Sequence, residues 1–286
     1  SSDRAPVQMT VPPSLLFVFG MGYSARRLAA RLVTDGWQLE GISRAKDADF
    51  GPGVRALQWG GEGEVHTKPG AHWLVTLPPD ADGCPAARAM AKRAGEAASV
   101  TYLSTTGVYG DLGGGWAMEW SPVNPGSARA KVRVLAERQW QEATGGAARI
   151  VRLPGIYGPG RSPFERLRDG TATRVVKPGQ VFSRVHVEDI ARGLESLLLK
   201  PDLTGVFHLC DDEPAPPQDV TAFAAGLLGM PPPPVVDIAD AGLSPMAQSF
   251  YAECKRVSNA RTKAALGWRP DFPSYREGLT AILAES

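Results

Sequence analysis

The chain has 286 residues, of which 43% are hydrophobic and 21% charged, a composition typical of a soluble globular protein. Lys and Arg together number 31 against 30 for Asp and Glu, so the formal net charge is +1. A dedicated nucleic-acid-binding protein would carry a basic excess, and a membrane-spanning helix needs about 18 or more consecutive apolar residues. The sequence has neither feature, so neither nucleic acid nor a membrane is an expected partner.

The predicted elements begin after an N-terminal segment without the apolar core of a signal peptide. Residues 1–13 are therefore expected to form a flexible arm. The apolar run 14–19, SLLFVF, ends in glycine and is typical of a buried parallel strand. The segment 23–36 follows, with Leu28 and Leu32 on a helical period and a glycine at its end, so it predicts the first helix.

The turn between this strand and this helix reads FGMGYSA, a G-x-G-x-x-A arrangement. Gly20 allows a tight turn, Gly22 leaves no Cβ in the path of a pyrophosphate, and Ala25 lets the helix pack closely on the strand. The helix N-terminus, with Tyr23 and Ser24, presents free N–H groups to an anion. We predict that these five residues bind a dinucleotide; the alternative is a plain strand–helix turn.

The second strand, 37–43, indicates which dinucleotide binds. An NAD site usually ends this strand with Asp or Glu, which holds the ribose 2′-hydroxyl. Glu40 lies mid-strand, whereas Ser43 and Arg44 stand at the strand end. A hydroxyl and a guanidinium suit a 2′-phosphate, and Lys46 adds positive charge. The sequence therefore favours NADP, with NAD and a merely solvated loop as the alternatives.

Strands and helices continue to alternate up to about residue 155. The segment 60–70 is too short and too glycine-rich for a full crossover helix. This alternation predicts a doubly wound α/β fold with a parallel sheet. The remaining elements predicted in this part are strands at 54–59, 72–77, 99–105 and 148–153, a helix over 84–98, and a helix that starts within 124–137, NPGSARAKVRVLAE.

The C-terminal part has a looser pattern. It contains a turn-rich loop, a proline-rich linker at 229–237 and two closing helices, and it is predicted to form a smaller lobe over the ends of the sheet. We expect a dinucleotide-binding domain over 14–160 and a mainly C-terminal substrate lobe over 161–286. Later segments such as 182–210 are expected to return to the first domain.

Three further motifs follow in order: YLSTTGVYGD at 102–111, RLPGIYGPGR at 152–161 and FSRVHVEDIA at 182–191. Together with the glycine turn, they resemble the extended short-chain dehydrogenase/reductase family, the NAD-dependent epimerase/dehydratase group. The G-x-G-x-x-A turn indicates an atypical subgroup of this family, because most extended members have a differently spaced glycine motif. The resemblance implies a Rossmann-like domain, a nicotinamide dinucleotide and a lobe for a small-molecule substrate. It also allows a homodimer, because many relatives pair through helices of the dinucleotide domain.

The family's catalytic set is a Ser or Thr together with Tyr and Lys spaced Y-x-x-x-K on a helix. By this resemblance Thr105, with Thr106 beside it, matches the Ser/Thr, and Lys131 matches the Lys that holds the ribose. The Tyr position holds Ser127. A serine hydroxyl is a much weaker acid than a phenol and is shorter, so it could move a proton only through a bridging water. The most economical interpretation is a retained cofactor site without the usual proton relay.

Other residues could take part in the site that the resemblance implies. Tyr109 and Tyr157 lie in loops after the fifth and sixth strands, where either phenol could replace the missing one or simply pack. Arg161 and Arg184 could bind an anionic substrate or brace loops. The residues after the fourth and sixth strands are also expected to contact the cofactor, namely Leu77, Pro78, Pro154 and Gly155.

The cysteines and histidines carry no metal-site spacing. Cys84, Cys210 and Cys254 are widely separated, and the four histidines show no paired ligand pattern. We therefore predict no metal and no disulfide framework. Reduced thiols suggest a cytoplasmic compartment.

Three functions remain open at this point. The first is an NADP-binding oxidoreductase-like protein acting on a small polar metabolite. The second is a dinucleotide-binding sensor or scaffold without turnover, suggested by the missing Tyr. The third is a nucleotide-sugar epimerase or dehydratase that uses Tyr109 or Tyr157. Many such enzymes carry Arg four residues before the His of the third motif, where this chain has Phe182, and this disfavours the third function.

Overall fold

The computed structural model describes residues 14–286, so the arm predicted at 1–13 lies outside the described residues. The chain alternates between strands and helices over the predicted first domain. The strands are β1 Leu15–Phe19, β2 Gln38–Ser43, β3 Val54–Gln58, β4 His72–Val75, β5 Ser99–Thr105, β6 Trp116–Ala117, β7 Arg149–Leu153, β8 Gly155–Tyr157, β9 Arg174–Val176, β10 Arg184–His186, β11 Gly205–His208, β12 Val235–Asp237 and β13 Arg256–Val257.

Seven strands form one central sheet in the order β11-β7-β5-β4-β1-β2-β3. Every pair in it is parallel. From β1 the chain winds outward to β2 and β3, and then returns to place β4 on the other side of β1. The strand order therefore reverses between β1 and β4, where open α/β sheets bind ligands beyond the carboxyl ends of their strands. The predicted Rossmann-like doubly wound fold is confirmed.

Helices cover both faces of the sheet. Side chains of α1, α5 and α8 share one buried apolar cluster with the strands, and side chains of α2 and α3 share another on the opposite face. The helices are α1 Tyr23–Thr34, α2 Pro85–Met90, α3 Ala128–Ala143, α4 Pro163–Arg168, α5 Val187–Leu198, α6 Pro217–Leu227, α7 Pro245–Tyr251, α8 Ala260–Leu266 and α9 Tyr275–Glu285.

The first strand and helix form for the reasons that the sequence indicates. In β1, Leu16 to Phe19 are all buried, as expected for a strand with helices on both faces. In α1, Ala25, Leu28 and Leu32 recur at helical spacing and are buried against the sheet. The segment 60–70 contains no helix, which confirms the prediction made from its length and glycine content.

Two predicted segments differ in the structure. The helix predicted over 84–98 is α2 followed by a 3₁₀ turn, Ala91–Glu96. Gly95 lies in this turn, where a glycine would cost a continued α-helix about 1 kcal/mol relative to alanine. The proline-rich segment 229–237 is not only a linker, because its last three residues form β12, which pairs with β9.

The C-terminal part has its own buried cluster, which includes Phe164, Val220 and Leu279 from three helices. It also returns to the central sheet, because β11 pairs with β7. The domain boundary at residue 160 stays a prediction. Over residues 14–286, every helix is too short or too polar to span a bilayer.

Candidate functional site

A cavity of about 790 Å³ opens at the carboxyl ends of β5 and β7. The C-terminal part closes its far side with residues from the β10 region and from α7. The fold therefore brings segments that are distant in the sequence to one place. Seven of the predicted site residues line this cavity: Thr105, Thr106, Ser127, Pro154, Gly155, Arg161 and Arg184.

The glycine turn has the geometry of an anion cradle. Gly20 has φ +104°, and a Cβ there would lie 2.6 Å from Thr76 Oγ1. Gly22 caps the N-terminus of α1, and a Cβ there would meet nothing within 4 Å. The space beside Gly22 is thus open, and the first N–H groups of α1, at Tyr23 to Ala25, have no acceptor within the helix. The turn fits the pyrophosphate of a dinucleotide.

Tyr23 and Arg161 connect this turn to the loop after β8. The Tyr23 hydroxyl donates to the carbonyl of Pro159 (2.8 Å). The Arg161 guanidinium lies 4.4 Å from the centre of the Tyr23 ring. Burial raises the pKa of Tyr23, with Arg27 and Arg161 opposing that shift. Arg161 therefore places a cation beside the start of α1, while it also lines the cavity.

The end of β2 has the arrangement that the sequence indicates. Ser43 is its last residue, and its hydroxyl accepts from the amide of Ala45 (3.0 Å). Arg44 is exposed, and its guanidinium forms no ion pair with the carboxylates of residues 14–286. Glu40 is buried in mid-strand, with an oxygen 3.9 Å from Arg55 Nη1. The Arg44 guanidinium therefore lies without an ion-pair partner among the described residues, at the strand end where the cofactor ribose is expected.

Other predicted cofactor contacts lie around the turn or at the strand ends. Leu77 follows β4, and its amide donates to the carbonyl of Phe19 (3.2 Å). Its side chain would lie 3.0 Å from a Cβ placed at Gly20. Pro78 is exposed beside it. Pro154 and Gly155 follow β7 at the wall of the cavity. The assignment of these residues to cofactor binding stays a prediction.

Thr105 stands at the end of β5 in the cavity wall. Its hydroxyl oxygen accepts from the amide of Gly107 (3.1 Å), which leaves its O–H free to donate. A hydroxyl in this state suits hydrogen bonding to a substrate oxygen. Thr106 is buried beside it.

Ser127 caps the N-terminus of α3. Its hydroxyl oxygen accepts from the amide of Ala130 (3.1 Å). This is the ordinary role of a serine before a helix. The hydroxyl therefore has a structural function even though the residue lines the cavity.

The structure brings Arg129 and Arg133 of α3 to the cavity, which the sequence analysis did not identify. Lys131 is exposed and does not line it. Arg133 Nη1 donates to Tyr102 Oη (3.0 Å) and to the carbonyl of Leu103 (3.3 Å). At about 100° per residue, Arg133 lies about 40° around the helix from the buried Glu137, whereas Lys131 lies about 120° away. Because the burial of Glu137 is seen only in the structure, helical spacing alone does not identify Arg133.

Tyr109 and Tyr157 are both buried, and neither lines the cavity. The Tyr109 hydroxyl donates to His208 Nε2 (2.6 Å), since His208 Nδ1 donates to the carbonyl of Ser258. Arg152 Nη1 in turn donates to Tyr109 Oη (2.9 Å). Burial raises the pKa of Tyr109 to about 12 and that of Tyr157 still further. The two phenols are therefore held in packed surroundings in this structure.

A buried ion pair supports the ends of β5 and β7. Arg152 Nε and Nη2 donate to the two oxygens of Glu137 (3.0 and 2.7 Å). Ser104 donates to the same carboxylate. The pair holds α3 against both strands directly behind the cavity.

Among residues 14–286, no group of three or more His, Cys, Asp or Glu side chains is arranged to hold a metal ion.

Asp211 gives an expected pH dependence of stability. Burial raises its pKa to about 8, although the amide of Glu213 and the Arg184 guanidinium oppose that shift. A carboxyl with a raised pKa stabilises the folded state fully below its unfolded pKa of about 4, and loses that contribution as the pH rises towards 8. We expect Asp211→Asn to gain about 2–4 kcal/mol relative to the parent chain between about pH 5 and pH 8.

Urea unfolding at a series of pH values measures this difference. His186 and His208, whose pKa values burial lowers to about 4, titrate in both proteins and cancel in the comparison. Parallel pH profiles for the two proteins would contradict the prediction.

Comparison with known proteins places this geometry in context. No family model matches the chain. A functionally unknown conserved protein from Silicibacter pomeroyi DSS is 47% identical, with a TM-score of 0.90 over 96% of this chain and 99% of that one. The human epimerase family protein SDR39U1 (isoform 2), solved with NADPH, has a TM-score of 0.78 at 17% identity, over 95% of this chain and 100% of that one.

One curated relative has a named chemical activity. The 3-diazoavenalumate denitrifying reductase of a Streptomyces species is 35% identical over an alignment 171 residues long, which covers 54% of this chain. The match also spans 54% of that protein, so it covers about half of the reductase's length.

Proposed function

We propose that this chain, which belongs to the same family as the conserved Silicibacter pomeroyi protein, is an NADPH-dependent reductase of a small molecule. Its fold is that of NAD-dependent epimerases and dehydratases. The observation that carries the proposal is the open space at Gly22, at the start of α1 and at the reversal of strand order. The named activity of the curated relative supports reduction.

The chemistry of the residues at the glycine turn and at the end of β2 supports dinucleotide binding, although these residues do not themselves line the cavity. Gly20 and Gly22 would accommodate the pyrophosphate together with the N–H groups of α1, and Arg161 would add a cation beside it. Arg44 would bind the 2′-phosphate. Arg133 lines the cavity whereas Lys131 does not, so we propose Arg133, and not Lys131, as an α3 cation available to the substrate. NADPH, when bound, supplies a hydride to the substrate.

The affinity for the 2′-phosphate gives a first prediction for this function. Arg44→Ala is expected to weaken NADPH binding about 10- to 100-fold, the effect of a lost hydrogen bond between charged groups. NADH binding should change little, because NADH has no 2′-phosphate. Arg55→Ala, on the neighbouring strand, is the matched control and should leave both affinities unchanged.

Titration of the purified protein with NADPH and NADH, followed by nicotinamide fluorescence at fixed salt, measures both affinities. If Arg44→Ala weakened the affinities for NADPH and NADH equally, Arg44 would not bind the 2′-phosphate. Absence of binding by the parent chain would refute the proposed function.

The accompanying proton needs a donor at the cavity. Tyr251, at the end of α7, is the tyrosine among the residues of the cavity wall. Burial raises its pKa, with Arg184 opposing, so the phenol is protonated at neutral pH. We propose that Thr105 donates a hydrogen bond to the substrate oxygen and that Tyr251 supplies the proton.

Tyr251→Phe is therefore expected to lower NADPH turnover by about 10²- to 10⁴-fold, the usual contribution of a general acid. Its affinity for NADPH should stay within twofold of the parent value, because the ring is retained. A panel of carbonyl substrates with NADPH absorbance provides the measurement. Unchanged turnover would remove Tyr251 from the proton path.

A second candidate is binding without turnover, as in a sensor or scaffold. The observation in its favour is that Ser127, at the expected Tyr position, is engaged as a helix cap. This function predicts NADPH binding with no consumption across the panel, and a partner whose affinity changes with NADPH. Consumption of NADPH by any substrate, lost in Tyr251→Phe, would exclude it.

A further inference from the structure

The cavity contains guanidinium groups that form no close ion pair with the described residues. Arg129, Arg133 and Arg184 all line it, and no carboxylate of residues 14–286 lies within 4.0 Å of their nitrogens. The cavity wall also contains the ammonium group of Lys255. Its charge is already neutralised, because Lys255 Nζ lies 2.8 Å from Glu253 Oε2. The residues of the cavity wall therefore include more cationic than anionic groups, although Asp211 lies close enough to Arg184 for each group to shift the pKa of the other.

Two of the three guanidinium groups are held in place by neutral oxygens. Arg133 Nη1 is anchored on Tyr102 and on the carbonyl of Leu103. Arg184 Nη1 donates to the carbonyls of Phe182 (2.9 Å) and Ala215 (3.2 Å). In both residues the remaining N–H groups have no partner among the described residues. A guanidinium is costly to desolvate without an anion, so a fixed, partly buried pair favours an anionic ligand.

Aromatic side chains form part of the same wall. Phe250 lies under the Arg129 guanidinium, 4.9 Å from the ring centre. Phe182 and Tyr251 meet edge to face, with ring centres 5.3 Å apart. All three residues are part of the cavity wall. They provide an apolar surface on which a planar ring system can pack.

We propose that Arg129, Arg133 and Arg184 bind the carboxylate of an aromatic organic acid whose ring packs on Phe182, Phe250 and Tyr251. This assignment of a substrate class rests on the proposed function, because it places the acid where the reduced group would meet the cofactor. The planar fork of a guanidinium matches a carboxylate through two parallel hydrogen bonds. A phosphate monoester offers similar oxygens, so the test includes one.

The experiment is calorimetric titration with cinnamate, cinnamamide and phenyl phosphate, with and without NADPH. Cinnamate and cinnamamide share shape and ring but differ in charge. We expect cinnamate to bind at least tenfold more tightly than cinnamamide, and to bind more weakly at high salt. Equal binding of the two, or binding of neither, would overturn the proposal. Tighter binding of phenyl phosphate than of cinnamate would overturn the carboxylate assignment.

The variant Arg129→Gln tests the residues directly, because Arg129 is exposed and its only described contact is with the Phe250 ring. It should weaken cinnamate binding about 10- to 100-fold and leave cinnamamide unaffected. Arg138→Gln, exposed on the same helix, is the matched control and should behave as the parent chain. Equal affinities in the two variants would remove Arg129 from the site.

The titration without NADPH separates this inference from the proposed function. Cinnamate binding that depends on Arg129 in a protein that fails to bind NADPH would support the anion site and refute the reductase. NADPH binding without any preference for cinnamate over cinnamamide would support the dinucleotide site and refute the anion site.

Discussion

Gly22→Val is expected to abolish NADPH binding and to leave the protein folded. A Cβ at Gly22 meets nothing within 4 Å, and its φ of −78° is accessible to any residue, so the fold has no reason to reject the side chain. Two branched methyl groups would instead occupy the space beside the first N–H groups of α1, where the pyrophosphate must lie. We expect the affinity for NADPH to fall at least 100-fold, about 2.7 kcal/mol.

Two measurements check this prediction together. Nicotinamide fluorescence gives the affinity, and urea unfolding gives the free energy of unfolding, which should fall by about 1 kcal/mol or less because valine is a poorer N-cap than glycine. Gly226→Ala, at a helical glycine whose Cβ also meets nothing within 4 Å, is the control and should bind as the parent chain does. Retained NADPH binding in Gly22→Val would mean that the dinucleotide does not cross this turn.

Gly20 provides a contrast on the same turn. With φ +104° and a Cβ 2.6 Å from Thr76 Oγ1, it does not tolerate a side chain. Gly20→Ala should therefore lose about 1–3 kcal/mol of stability, the usual cost of a strained backbone position. Substitution of Gly20 therefore tests what the turn needs in order to fold, and substitution of Gly22 tests what the ligand needs in order to bind.

Glu137→Ala is expected to be the most destabilising single substitution near the cavity. It leaves the Arg152 guanidinium buried with no carboxylate, and breaking one side of a buried ion pair costs about 3–5 kcal/mol. It also removes the acceptor for Ser104. The ends of β5 and β7 would then lose their common support.

Urea unfolding of Glu137→Ala, of Arg152→Met and of the double variant measures both the cost and the coupling. The double variant should be more stable than the sum of the single changes predicts, because it removes the uncompensated charge. Glu142→Ala, exposed on the same helix, should change stability by about 0.5 kcal/mol or less. Additive single changes would show that the pair contributes little.

The sequence and the structure agree most closely where a local pattern carries the information. The strand predicted at 99–105 is observed over those residues, because seven consecutive positions suit a strand buried on both faces. They differ on α3, where four-residue spacing from Ser127 indicated Lys131 but the helix turns Arg129 and Arg133 to the cavity. Neither α6 nor α7 was predicted. Each begins at a proline, which favours the first turn of a helix, but the proline-rich or polar residues before it are typical of a loop.

The doubly wound sheet and the glycine turn could be predicted before the structure, because apolar periodicity and glycine placement are patterns among residues a few positions apart. Which side chains share the cavity could not be predicted in this way, because folding brings distant segments together. Tyr251 is distant in sequence from Thr105, and Arg184 from Arg133, and they meet because strands and helices pack side by side. The same packing buried Tyr109 and Tyr157, since the exposure of a phenol depends on what covers it and not on its neighbours in the chain.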